Sequence, residues 1–339
     1  MKRAVSAILS LVALLAMAFS QSEQRLVQPE GWPKPAAAYA RLKLSNDARH
    51  LGRKLFYDPI LSADSTISCA SCHLSYTGFA HTDHALSHGI NGKTGIRNAP
   101  AIFNLGWSRE LMWDGASAGV FEFASRPITN PLEMNETMPH VLEKVRQVHD
   151  YRLWFAMVYG DTAITGQRLM NVLGQFLLSI QSYNALYDRV MRHEDTFNSY
   201  QARGYQVYKQ HCAGCHTEPL FTNNGFENNG LPADTSLNDV GRYKVTGKTR
   251  DMYRFKVPSL RNVEVTYPYM HDGRFRNLQM VLLHYTTGIQ QDKYLSPQLR
   301  KKIVLSTEEK QDLLAFLRAL TDETFLKNRA YNDPMHNQP

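Results

Sequence analysis

The chain has 339 residues, 43% of them hydrophobic, and a formal net charge of +7 at pH 7. That length and apolar content suit about two domains of ordinary size, each with its own core. The basic excess is small, and no arginine-rich run or alternation of aromatic and basic residues accompanies it, so no nucleic-acid partner is expected.

In chain order, Lys2 and Arg3 precede an apolar run from Ala4 to Phe19, with Ala16-Met17-Ala18 and Ala18-Phe19-Ser20 as small-residue cleavage sites. This is the pattern of a secretory signal peptide over residues 1–20. Ser6 and Ser10 interrupt the run, which falls short of the roughly 20 apolar residues of a membrane span. With no later candidate, the chain is expected not to span a membrane after signal cleavage. Ala48 to Phe56 has Leu51, Leu55 and Phe56 at helical spacing, and Tyr57-Asp58-Pro59 stops it. Met138 to Tyr159 and Leu169 to Tyr187 read as further core helices, and Thr196 to Gln210 as another. Ser306 caps a last helix with Glu309 three positions on, followed by Leu313, Leu314, Phe316, Leu317 and Leu320. Between these, Leu74 to Arg109, Gly115 to Asn135 and Thr217 to Arg254 are long, irregular and rich in Gly, Pro, Asn and Asp. Loops of that length usually hold a ligand or a site.

All four cysteines fall in two copies of one pentapeptide, Cys69-Ala70-Ser71-Cys72-His73 and Cys212-Ala213-Gly214-Cys215-His216. Two thiols three positions apart can bond both vinyl groups of one haem while the adjacent histidine is held under the iron. A four-cysteine zinc site would bring both pairs to one metal, usually with roughly 15–20 residues between them; here they stand in opposite halves of the chain. A thioredoxin-like pair would not explain a histidine after both copies. Two disulfides are compatible with an oxidising compartment. The doubled motif therefore predicts two covalently bound haems c, in a bacterial setting on the periplasmic side. The fold class expected is mostly α, with two cytochrome c-like domains, 21–190 and 191–339, each binding one haem among long irregular loops.

Further residues carry a family resemblance. Leu51-Gly52-Arg53-Lys54-Leu55-Phe56, Arg97-Asn98-Ala99-Pro100, Trp113-Asp114-Gly115, Pro131-Leu132-Glu133-Met134, Pro258-Ser259-Leu260-Arg261-Asn262 and Pro268-Tyr269-Met270-His271-Asp272-Gly273 occur in one order over nearly the whole mature chain. In this the chain resembles the bacterial di-haem cytochrome c peroxidases and the related MauG enzymes. The resemblance implies that His73 is the proximal ligand of an N-terminal, peroxide-reacting haem, and His216 that of a C-terminal, electron-transferring haem. It implies a distal ligand at His88, in the pair His88-Gly89, with His81 and His84 as neighbouring competitors. It puts the catalytic carboxylate at Glu133, whose chemistry suits moving a proton between the two oxygens of peroxide. Phe123 stands where the family's pocket glutamine is found, and this departure replaces a hydrogen-bond donor by an apolar wall.

By the same resemblance Trp113 lies between the two haems, and Asn98, Thr266 and Pro268 supply oxygens to a calcium ion. The sixth ligand of the C-terminal haem falls at Tyr285, where the classical peroxidases have methionine and the MauG type has tyrosine; Met270 and Met280 are the alternatives. A phenolate favours the oxidised metal, whereas a thioether raises the potential. The implied partners are hydrogen peroxide and a small cytochrome c or cupredoxin as electron donor, or a protein substrate whose aromatic residues are oxidised. A homodimer is among the assemblies the resemblance allows. A non-catalytic di-haem electron carrier is the reading from another class.

Overall fold

Helical periodicity accounts for most of the regular structure in the computed structural model, which describes residues 23–335; the expected signal segment lies outside the described residues. The main helices are α1 (Asn46–Tyr57), α2 (Met138–Gln147), α3 (His149–Tyr159), α4 (Gly166–Ser179), α5 (Ser199–His211), α6 (Leu278–Leu283) and α7 (Thr307–Arg318). Ser45, Thr137, Thr165, Asn198, Asn277 and Ser306 each cap a helix start by accepting a backbone N–H. The capping box expected at α7 forms: Ser306 Oγ accepts from the Glu309 amide at 3.1 Å, and Glu309 accepts from the Ser306 amide at 2.7 Å. Among the described residues, sheet is confined to two short antiparallel pairs, Glu23–Arg25 with Lys43–Ser45 and Phe226–Glu227 with Phe255–Lys256.

Two helices are shorter than their apolar patterns suggest. Met138–Tyr159 is broken at Val148, whose φ of −81° and ψ of 118° are extended. Tyr151 and Phe155 beyond the break are buried while Val148 is exposed, and β-branching makes valine tolerant of that backbone. Leu169–Tyr187 likewise ends at Ser179, and Tyr187 belongs to a separate short helix, Leu186–Met191.

Two apolar cores result. The first joins Leu51, Leu55 and Phe56 of α1 to Leu173 and Phe176 of α4, with Phe79, Tyr151 and Phe155. The second joins Tyr208 of α5 to Leu313, Phe316 and Leu317 of α7, with Tyr187, Phe221 and Leu282. In both, one glycine lets the principal helix pair cross at backbone contact. A Cβ on Gly52 would lie 2.0 Å from the Val172 carbonyl oxygen, and one on Gly204 would lie 1.9 Å from that of Asp312. The helical glycines, each costing about 1 kcal/mol against alanine, are required by these close approaches.

The chain end returns to the first core. Phe325 is buried there, with Leu326 and Tyr331 packed against it. Arg53 donates to the Ala330 carbonyl at 2.8 Å, the Tyr57 hydroxyl to the Tyr331 carbonyl at 2.6 Å, and the Tyr331 hydroxyl to the Ser179 carbonyl at 2.9 Å. Between the halves, Arg97 binds Asp114 at 2.6 Å and, through two nitrogens, Asp239 at 2.6 and 2.8 Å. Arg261, wholly buried, makes paired bonds of 2.7 and 2.8 Å to Asp188 and donates to the Pro219 carbonyl. The sequence motifs around Arg97 and Arg261 are thus structural clamps as well as signatures.

Candidate active site

The second Cys-x-x-Cys-His segment follows α5 directly and the first is separated from α1 by a loop; both turn tightly, so that the histidine amide bonds back to the first cysteine carbonyl, at 3.0 Å for His73 and 2.9 Å for His216. His73 Nδ1 lies 2.8 Å from the Phe79 carbonyl oxygen; His216 Nδ1 lies 3.2 Å from that of Phe221 and 3.0 Å from that of Pro258. Occupying Nδ1 in this way fixes the tautomer and leaves Nε2 for iron. Phe79 and Phe221 both have positive φ, 58° and 54°, and both are fully buried. A bulky residue there costs about 1–3 kcal/mol and aims its carbonyl at the proximal histidine. Desolvation lowers both imidazoles, His73 to about 4, so they stay neutral as metal ligation requires.

All four cysteines are unbridged, which removes the disulfide reading. Desolvation raises their thiols, Cys69 and Cys212 to about 12. Among the described residues no three His, Cys, Asp or Glu side chains converge where a metal ion could sit, so the pairs do not form one zinc site. A cavity of about 350 Å³ opens beside the second motif, lined by Cys212, Cys215 and His216 and by apolar groups including Leu260, Leu282 and Leu317. An apolar chamber, two free thiols at its wall and an imidazole with a free Nε2 fit a covalent haem.

On the N-terminal side, Glu133 is half-buried beside the first cysteine pair, close enough for its charge to raise both thiols. Burial raises the Glu133 carboxyl above its ordinary range, opposed by the Asn130 amide that donates to it at 2.9 Å. The His88 segment is laced to this carboxylate's own backbone. Ile90 N donates to the Glu133 carbonyl at 2.9 Å, and a Cβ on Gly89 would lie 2.1 Å from the Leu132 carbonyl oxygen. The His88 carbonyl faces the Cys72 sulfur at 3.6 Å. The three loop histidines come together, with His84 and His88 ring centres 4.1 Å apart, His81 and His84 5.3 Å, and His81 and His88 6.2 Å. His81 is the most buried of them, and its Nδ1 has no hydrogen-bond partner.

Trp113 stands at the seam. Its indole N–H donates to the Asn98 carbonyl at 2.9 Å, and its own carbonyl accepts from the Lys256 amide at 2.7 Å. It lines the C-terminal chamber with Phe123, Asn98, Thr266 and Pro268. The three residues expected at calcium therefore all line this chamber, and the Asn98 side-chain amide donates to the Ala85 carbonyl at 2.9 Å.

The chamber also sorts the candidate sixth ligands. Tyr285 and Met270 line it, whereas Met280 is 39% exposed and does not. Tyr285 sits in a single turn of π-helix, His284–Gly288, that continues α6, a distortion common at functional positions. Desolvation raises its hydroxyl to about 12, opposed by a bond with Asn229. The same Asn229 amide reaches the Met270 sulfur at 3.3 Å. Asn130 and Asn229, which orient Glu133 and the Tyr285–Met270 pair, carry no sequence signal of their own; only contact reveals them.

Residues 46–196 match the family model described as di-haem cytochrome c peroxidase, and residues 201–321 match that of cytochrome c. The chain is 32% identical to the methylamine utilization protein MauG of Methylophilus methylotrophus, over 88% of each sequence. It is also 32% identical to the cytochrome c551 peroxidase of Nitrosomonas europaea, over 93% of this chain and 90% of the relative. Among solved structures, a MauG-like protein associated with microbial copper homeostasis superimposes with a TM-score of 0.82 at 29% identity, over 92% of this chain and 99% of the other. With two haem-ready motifs, two helical cores and these relatives, the chain belongs to the di-haem cytochrome c peroxidase family.

Proposed function

We propose that this protein is a periplasmic di-haem peroxidase that reduces hydrogen peroxide to water at a haem held by Cys69, Cys72 and His73. Electrons enter at a second haem, held by Cys212, Cys215 and His216, from a small cytochrome c or cupredoxin. The observation that carries the reading is the half-buried Glu133 beside the first cysteine pair, raised by its surroundings and oriented by Asn130. When bound, haem iron supplies the centre that takes up peroxide and exchanges electrons with it. Glu133 moves a proton from one peroxide oxygen to the other, so that the leaving oxygen departs as water; a carboxyl with a raised pKa suits both halves of that transfer. His88 would be the loop residue that holds the iron of the first haem in one oxidation state and would leave it free for peroxide in another. Trp113, fixed at both its N–H and its carbonyl, would supply an aromatic ring on the electron path between the two haems. Asn98, Thr266 and Pro268 hold calcium at the seam between the haem domains 21–190 and 191–339, and waters complete its shell. Residues 1–20 direct export, and among the described residues no helix is long and apolar enough to cross a membrane.

Tyr285 in the C-terminal chamber and the apolar Phe123 favour a second reading, in which the oxidising equivalents of peroxide are withdrawn from aromatic residues of a protein partner. Peroxide added to fully oxidised and to half-reduced haem-loaded protein separates the two. Turnover only after one-electron reduction marks the peroxidase, and reaction of the fully oxidised form marks the protein oxidant. Inertness of both forms would leave an electron carrier.

A further inference from the structure

Trp32, Trp107 and Leu220 form a small buried cluster separate from both main cores, with Tyr183 packed against it. Trp107 lines the C-terminal chamber, together with Cys215, His216 and Tyr285. Trp32 meets it edge to face, with ring centres 5.0 Å apart at 72°. On its far side Trp32 belongs to the N-terminal loop, where Glu30, Gly31, Pro33 and Lys34 are all exposed. Two oxidisable rings therefore stand in series between the chamber wall and the outer surface.

We propose that Trp107 and Trp32 form a one-electron relay between the C-terminal haem chamber and the surface loop 29–35, where an electron-donating protein docks. The proposal rests on the peroxidase reading, which supplies hydrogen peroxide as the oxidant. Trp107 gives one electron to the peroxide-oxidised haem centre, Trp32 refills Trp107, and the donor protein refills Trp32. No proton needs to leave, because the Trp107 indole N–H is held by the Pro33 carbonyl at 2.8 Å, an acceptor that is not a base. The Arg261 guanidinium lies 4.6 Å from the Trp32 ring centre. A cation is attracted to a neutral ring and repelled by an oxidised one. The repulsion favours passing the charge on to a donor at the loop, and without a donor the charge stays on the two rings.

Haem-loaded protein is treated with a small excess of hydrogen peroxide without donor, and oxygen addition at each tryptophan is read by peptide mass spectrometry beside the haem absorption spectrum. Trp107 and Trp32 are expected to be oxidised, and Trp154, packed on the first core away from the chamber, to be spared. In Trp107→Phe, oxidation at Trp32 is expected to fall about tenfold while the haem spectrum still responds to peroxide, and Trp107→Tyr restores it. A responding haem with Trp32 unoxidised, or oxidised equally in Trp107→Phe, overturns the relay and leaves the peroxidase reading standing. A haem spectrum that changes in neither the oxidised nor the half-reduced protein overturns both. Should Trp107→Phe fail to retain haem, Trp32→Phe is used: reduction of the C-terminal haem by a small c-type cytochrome is expected to slow about tenfold in stopped-flow absorbance, and an unchanged rate overturns the relay.

Discussion

On the proximal side, His73 and His216 are held by one design: a helix crossing at a glycine, a Cys-x-x-Cys-His turn, and a buried left-handed phenylalanine whose carbonyl takes the imidazole Nδ1. Beyond that frame the halves differ. The first offers a carboxyl of raised pKa and a loop of three histidines, whereas the second offers a tyrosine and a methionine bridged by one asparagine. The lesson is a separation of labour. The backbone that presents each Cys-x-x-Cys-His histidine follows one plan, with the Pro258 carbonyl as an added acceptor for His216, and the surroundings differ in a few side chains carried on loops and one π-helical turn.

The comparison can be broken most severely at the crossings. Gly52→Val and Gly204→Val each drive a side chain into a carbonyl oxygen, at an expected cost of about 4 kcal/mol or more. Thermal unfolding and the stoichiometry of attached haem check this, with each variant expected to lose the haem of its own half first. Glu133→Gln should keep both haems and lower peroxide turnover by about 10²–10⁴-fold; unchanged turnover would remove Glu133 from the mechanism. Arg97→Gln unpairs two buried carboxylates at the seam, and an expected loss of about 3–5 kcal/mol is readable by denaturant titration. The same seam is sensitive to acid. Burial opposes ionisation of Asp239, but Arg97 outweighs it and holds the carboxyl below its ordinary range. The stabilisation is therefore intact above the ordinary carboxylate range and is lost as pH falls through the lowered value, so wild type but not Arg97→Gln should lose stability steeply there. The smallest effect distinguishes the sixth ligands: Tyr285→Phe is expected to alter the spectrum of the C-terminal haem alone, and Met270→Leu to leave it nearly unchanged. The reverse outcome would assign the methionine.

Much of this was legible before any coordinates. The two pentapeptides, the capped start of α7 and the apolar faces of α1, α4 and α5 follow from spacing alone, because the chemistry and the helix repeat act over a few residues. The break at Val148 escaped, since the apolar pattern runs straight through it and only tertiary packing decides where the chain bends. Phe79 and Phe221 escaped for a stronger reason: their left-handed backbone runs against the preference of a bulky side chain and is imposed by the site. Three loop histidines stood as rivals in the sequence, and folding brings all three within ring contact. Met280 is exposed whereas Tyr285 and Met270 line the chamber, a difference that no local pattern encodes.

The return of Phe325 and Tyr331 to the first core carries a consequence for biogenesis. A polypeptide made from its N-terminus presents Cys69 and Cys72 long before Phe325 and Tyr331. Until then the first core, against which Cys69 packs, lacks the ring contacts that Phe325 and Tyr331 make with Phe79. Haem attachment would thereby gain a window in which the first motif is less tightly packed, before Phe325 and Tyr331 complete the core around it.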